Sequence, residues 1–121
     1  MNSLELRTNN RTVEIGGIAY KLDFDMQALS FAEQLYLDYY GRDVNVSEII
    51  RELFGMKASA LSAFIFGAMR SAGEKVTWEE FSKRIFTYGN FDVMMDVATD
   101  AIGALLAPGG ETGNGQDNAK N

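Results

Sequence analysis

Thr12-Val13-Glu14-Ile15 and Ile18-Ala19-Tyr20-Lys21-Leu22-Asp23-Phe24 alternate apolar and polar residues with the period of a half-buried strand. The alternation places Val13 and Ile15 on one face, and Ile18, Tyr20, Leu22 and Phe24 on the matching face. Gly16-Gly17 between them provides the positive φ values that a two-residue primed turn requires. A β-hairpin over about 12–24 is therefore expected. A lone hairpin is only marginally stable in water, so its apolar face must be covered by helices.

The period changes after Phe24. Gln27, Ser30, Gln34 and Asp38 form a polar stripe, with Ala28, Ala32, Leu35, Tyr36 and Tyr39 on the opposite arc and Phe31 and Leu37 at its borders. This predicts a first helix from about Asp25 to Tyr40, ended by Gly41 in a left-handed cap. A second, short helix is expected over 46–54. Asn45 and Glu48 form its capping box, Val44 and Ile49 its staple, and Gly55 closes it. The third, about 58–72, is apolar almost all round, as a central helix is. Gly67 within it permits close approach of a neighbouring backbone. Thr77-Trp78-Glu79-Glu80 reads as a second capping box, with Val76 and Phe81 as staple, starting a fourth helix that runs to about Tyr88. Gly89-Asn90 breaks it, and a fifth helix is expected from about Phe91 to Leu106.

The fold class that follows is mainly α (α+β): one domain over 1–107, with the hairpin packed on about five helices. Residues 1–10 are polar and without period, fit for a frayed end or an edge strand. From Pro108-Gly109-Gly110 onward the chain has no large apolar residue, so 108–121 are expected to be a disordered polar tail. A length of 121 residues, with 46% apolar, suits one core and is too short for two.

Composition narrows the chemistry. The chain has no Cys and no His, which removes zinc sites of the usual kind, thiol nucleophiles and the commonest general base. A net charge of −6 argues against nucleic-acid binding, which depends on clustered Lys and Arg. The uncharged run 58–69 is far shorter than the about 20 residues of a bilayer span, so no membrane role is expected. The opening Met1–Arg7 has no apolar signal core, which favours the cytoplasm. Asp92, Asp96 and Asp100 recur every fourth residue and share one helix face. A magnesium-dependent enzyme could use such a row, but a solvated face opposite Val93, Val97, Ala101 and Leu105 explains it as well. Asp23 and Asp25 flank the strand-to-helix corner, where capping is the plain reading. No nucleophile elbow and no phosphate-cradling loop is present. No catalytic residue, cofactor or metal is expected.

What remains is apolar surface. Leu37, Tyr39 and Tyr40 cluster at the end of the first helix, Met94 and Met95 lie early in the fifth, and Leu105 and Leu106 at its end. Tyr and Met are residues that interfaces favour, and so many amphipathic elements leave more apolar surface than one small core hides. These seven are the candidate protein interface, and a homo-oligomer is expected.

The run Val13–Phe24, followed at once by a helix with Ala28, Leu29 and Phe31, resembles the front of the tail assembly chaperones of long-tailed bacteriophages and prophages. That family carries an I-x-G-x-x-Y-x-L-x-F strand pair ahead of a run of helices and a small polar tail. The resemblance spans about 13–107. It implies a non-enzymatic protein of the host bacterial cytoplasm, absent from the mature virion. Such a protein binds the tape measure protein, keeps it soluble and helps recruit tail tube protein subunits. It also implies a longer product made by ribosomal frameshift, and codons for Ala119-Lys120-Asn121 that read GCA-AAA-AAC would supply the slippery run. Two other classes stay open: a small non-phage helical adaptor, and an enzyme using the aspartate row.

Overall fold

The structure is a computed structural model that describes residues 10–106. The expected tail at 108–121, the codon run at Ala119–Asn121 and the start of the chain lie outside the described residues. Strands β1 (Asn10–Ile15) and β2 (Ile18–Asp23) pair antiparallel, with Val13 opposite Tyr20 and Ile15 opposite Ile18. Gly16 and Gly17 take φ of 60° and 81°, the double left-handed turn that the Gly-Gly pair predicts. Val13, Ile15, Tyr20, Leu22 and Phe24 are buried as the alternation requires. Ile18 departs from it: beside the turn, it stays 47% exposed although its cross-strand partner Ile15 is buried.

Helix α1 (Met26–Leu35) starts at Asp25, whose carboxylate accepts from the Ala28 N–H at 2.9 Å. Its last turn, Tyr36–Tyr40, widens to i→i+5 spacing before Gly41 ends it at φ 65°. The Arg42 N–H then closes back on the Tyr36 carbonyl at 3.0 Å. Each residue of a wider turn advances less around the axis, so Tyr39 swings out of the buried arc and stands 58% exposed. That corrects its placement beside Ala32 and Tyr36.

Helix α2 (Val46–Phe54) carries the full Asn45–Glu48 capping box, with Val44 and Ile49 both buried. Helix α3 (Ala58–Ser71) is buried continuously from Ala60 to Met69 and touches α1, α2, β2 and the last helix. At Gly67 the backbone of α1 comes so close that a Cβ there would lie 2.3 Å from the Ala28 carbonyl oxygen. Ser71 at the end of α3 donates to both oxygens of Asp25, at 2.8 and 3.0 Å, so one carboxylate serves two helix ends. Phe24 from the strand corner meets Phe64 at 5.2 Å between ring centres.

Helix α4 begins at the Thr77–Glu80 capping box, runs as Trp78–Glu80 and continues as a wide turn, Phe81–Ile85. It stops three residues before the expected Tyr88, because Phe86 and Thr87 leave helical geometry. Asn90 then reaches back, its side-chain amide donating to the Arg84 and Ile85 carbonyls at 3.1 and 3.0 Å. The residue expected to break the helix thus satisfies the helix's orphan carbonyls from beyond the break. A single 3₁₀ turn, Tyr88–Asn90, leads into α5 (Phe91–Leu106). Helix α5 packs on α3 and β1, and Arg11 of β1 makes an ion pair with Asp100. One continuous core joins hairpin and helices.

Candidate functional site

Two irregular connections build the most distinctive surface. At the end of α2 the N–H groups of Met56 and Lys57 return to the carbonyls of Leu53 and Glu52, at 2.9 and 3.0 Å. Such a reversal needs one residue in the left-handed region. Gly55 does not take it: its φ is −82°, and Met56 carries the positive φ, 58°. A non-glycine residue pays about 1–2 kcal/mol for that conformation. Its side chain is thereby held at the lip of a groove whose floor is formed by Leu61 of α3 and Met94 of α5.

The α4–α5 connection forms the second wall. The abrupt end of α4 at Phe86, held by Asn90, turns Phe86, Thr87 and Tyr88 toward the same space, and Phe91 and Met95 of α5 complete it. The cavity has a volume of about 420 Å³, within the range of ligand pockets, and it is open along one side. Tyr88 is 94% exposed, and Met56 and Phe91 are exposed as well. The lining holds three methionines and three aromatic rings; its polar side-chain atoms are the hydroxyls of Thr87 and Tyr88. With no carboxylate, amine or imidazole in the lining, the groove offers deformable apolar contact area rather than acid–base chemistry.

A polar cluster behind the lip sets where α2 turns into α3. Buried Tyr36 donates to Glu52 at 2.7 Å and its hydroxyl lies 3.4 Å from the Ser59 hydroxyl. Arg42 donates to the other Glu52 oxygen at 3.0 Å and sits 5.2 Å over the Tyr36 ring. Burial pushes the Tyr36 phenol up to about 12, with the Glu52 charge adding to the effect. The Tyr36 and Arg42 hydrogen bonds hold the Glu52 carboxyl below the usual carboxylate range.

The seven sequence-predicted interface residues fall in three places. Met95 lines the groove wall. Met94 also lines it but is buried in the core, so it serves as floor rather than as free surface. Leu37, Tyr39 and Tyr40 are exposed on the wide last turn of α1. Tyr39 and Tyr40 lie 5.7 and 6.3 Å from Trp78, which stacks on Phe81, which in turn stacks on Phe86 of the groove. An aromatic seam therefore joins that corner to the groove. Leu106 is exposed and Leu105 half-buried at the far end of α5, roughly 15 Å along the axis from Met95.

The aspartates resolve differently. Asp92, Asp96 and Asp100 are exposed along α5, opposite buried Met94, Val97, Ala98 and Ala101. Val93 and Leu105, expected on the buried side, are only half-buried. No group of three acidic side chains placed to hold a metal ion occurs among the described residues. Asp25 caps α1; burial, then the neighbouring Asp25 charge, pushes the Asp23 carboxyl up.

Sequence reasoning missed Met56, Phe86, Tyr88 and Phe91. The last three were legible as a cluster, since three aromatics around Gly89-Asn90 are more than a solvent-facing break requires. Met56 left no such signal, because the preceding glycine was the expected reversal point.

No family model, curated protein or solved structure matches this chain.

Proposed function

We propose that this chain is a tail assembly chaperone of a long-tailed phage or prophage. It binds the tape measure protein, keeps that long helical client soluble, and helps recruit tail tube subunits around it. The observation that carries the reading is the open groove of methionines and aromatics between the α2–α3 turn and the start of α5. An amphipathic helix lays its apolar face into a groove of this kind, and methionine lets one groove fit many versions of a repeating stripe. A long client offers many such stripes, so several weak contacts, shared across a homo-oligomer, hold it firmly yet release it stepwise. The exposed corner at Leu37, Tyr39 and Tyr40 extends this contact surface along the aromatic seam. No described helix is long and apolar enough to cross a membrane, and the proposed place of action is the host cytoplasm, with release before the virion matures.

The hairpin-then-helices order of the resemblance supports the same reading. Co-expression with the long coiled-coil product of the neighbouring gene tests it: the client becomes soluble with this chain and precipitates without it. Charged residues at Leu37 and Tyr40 weaken that rescue while the domain stays folded. A client indifferent to the chain, with a groove that still binds amphipathic helices, would return the protein to the class of small helical adaptors.

A further inference from the structure

Three of the chain's six methionines line the groove, and the sequence holds no cysteine to intercept an oxidant. The three differ in access. Met94 on the floor is buried, Met95 on the wall is half-buried, and Met56 at the lip is 41% exposed. Met56 is also fixed in place. It alone of the described non-glycine residues has a positive φ, and the N–H groups of Met56 and Lys57 are both tied to carbonyls at the end of α2. The backbone therefore cannot withdraw this thioether from the groove mouth without breaking the turn between α2 and α3.

An exposed thioether reacts with hydroperoxides. One peroxide oxygen passes to sulfur: the S–O bond forms as the O–O bond breaks, the sulfur gives up two electrons, and the remainder of hydrogen peroxide leaves as water. The sulfoxide so formed puts a strong hydrogen-bond acceptor where an apolar group stood. At the open lip water solvates that oxygen while the groove is empty, so the free fold bears little cost. An apolar segment seated in the groove strips the water away, and the lining has no charged group to replace it. The cost falls on the occupied state.

We propose that Met56 is a modification site: oxidation by a hydroperoxide closes the groove to its apolar partner, and a methionine sulfoxide reductase with a thiol reductant reopens it. This rests on the groove reading above and adds its regulation. Met26 is more exposed than Met56 but is not part of the groove, so its oxidation leaves capture unchanged.

Trypsin makes the site readable, because Met56 is the sole methionine of the segment Glu52–Lys57, whereas Met94 and Met95 share Ile85–Lys120. The full chain is treated with limiting hydrogen peroxide, quenched with catalase and mapped by mass spectrometry. Its binding to a synthetic amphipathic helix of about 18 residues with a leucine stripe is followed by fluorescence anisotropy. Glu52–Lys57 gains one oxygen before Ile85–Lys120 does. Peptide binding weakens about tenfold in step with that gain, the urea midpoint stays in place, and reductase with dithiothreitol restores binding. Met26→Leu leaves this sensitivity intact. Met56→Leu, whatever its starting affinity, shows no further drop on peroxide treatment. A drop that persists in Met56→Leu, full binding with Met56 oxidised, or a urea midpoint that falls with the oxygen gain would each overturn the inference and leave the groove reading standing. An untreated protein that does not bind the peptide would overturn both.

Discussion

Replacing Gly67 by alanine places a methyl group where the α1 backbone already is. The added Cβ would sit 2.3 Å from the Ala28 carbonyl oxygen, 3.1 Å from its carbonyl carbon and 3.3 Å from the Phe31 Cβ. Ordinary contact begins at 3.4 Å, so α1 and α3 must part by about 1 Å along the most heavily packed seam of the fold. Overpacking of this kind costs about 1–3 kcal/mol, and the upper end applies because the atom struck is main chain and cannot rotate aside. Alanine recovers about 1 kcal/mol of helix propensity, which leaves a net loss of about 2 kcal/mol. In urea, where a small domain loses about 1–3 kcal/mol per molar, the unfolding midpoint falls by roughly 1 M. Gly103→Ala is the internal control. It lies in α5 with nothing within 4 Å of its added Cβ, so it gains the propensity term alone and raises the midpoint. A Gly67→Ala protein as stable as the parent, or shifted like Gly103→Ala, would refute the close-approach argument.

Other outcomes follow from the same geometry. Glu52 has a depressed pKa in the fold, so its contribution is complete above its ordinary value of 4.5 and is lost as pH falls through the lower folded value. Urea titrations in acid therefore show the parent losing stability faster than Glu52→Gln, and parallel curves would count against the cluster. Tyr36, raised to about 12, gives the opposite sign: its contribution is complete below 10.0 and is lost as pH climbs toward 12, a slope that Tyr36→Phe abolishes. Thr77→Ala removes the hydroxyl that accepts from the Glu80 N–H, leaves the Thr77 N–H bonded to the Glu80 carboxylate, and costs about 1 kcal/mol by thermal unfolding; an unchanged midpoint would count against the cap. Met56→Gly relieves the left-handed strain and stabilises the fold by up to about 1 kcal/mol while weakening peptide capture; a stability loss would show that Met56 is held by packing instead.

How far the sequence carried the fold depended on the range of the signal. The Gly16-Gly17 turn and both capping boxes are written within four or five consecutive residues, and each is found where the pattern puts it. The central position of α3 was equally plain, since ten consecutive buried residues leave no polar face. The wide turns at Tyr36–Tyr40 and Phe81–Ile85 were not legible, because a periodicity argument assumes one rise and one angle throughout. The first rotated Tyr39 outward, and after the second the chain left helical geometry at Phe86 and Thr87. The groove was hidden for a related reason. Met56, Phe86 and Met95 come from three separate segments, and only the packing of α2, α4 and α5 around α3 brings them together. The aspartate row was readable as a helix face, but the pairing of Asp100 required the position of Arg11.

The central claim is that a non-reactive apolar groove does the work, and methionine methyl NMR tests it most directly. With ¹³C-labelled methyl groups, addition of a synthetic amphipathic helical peptide carrying a Leu/Met stripe shifts Met56, Met94 and Met95. Met26, 67% exposed but away from the groove, and Met69, 0% exposed inside the core, stay in place as built-in controls. Shifts at Met26 with the groove methionines unmoved would contradict the account.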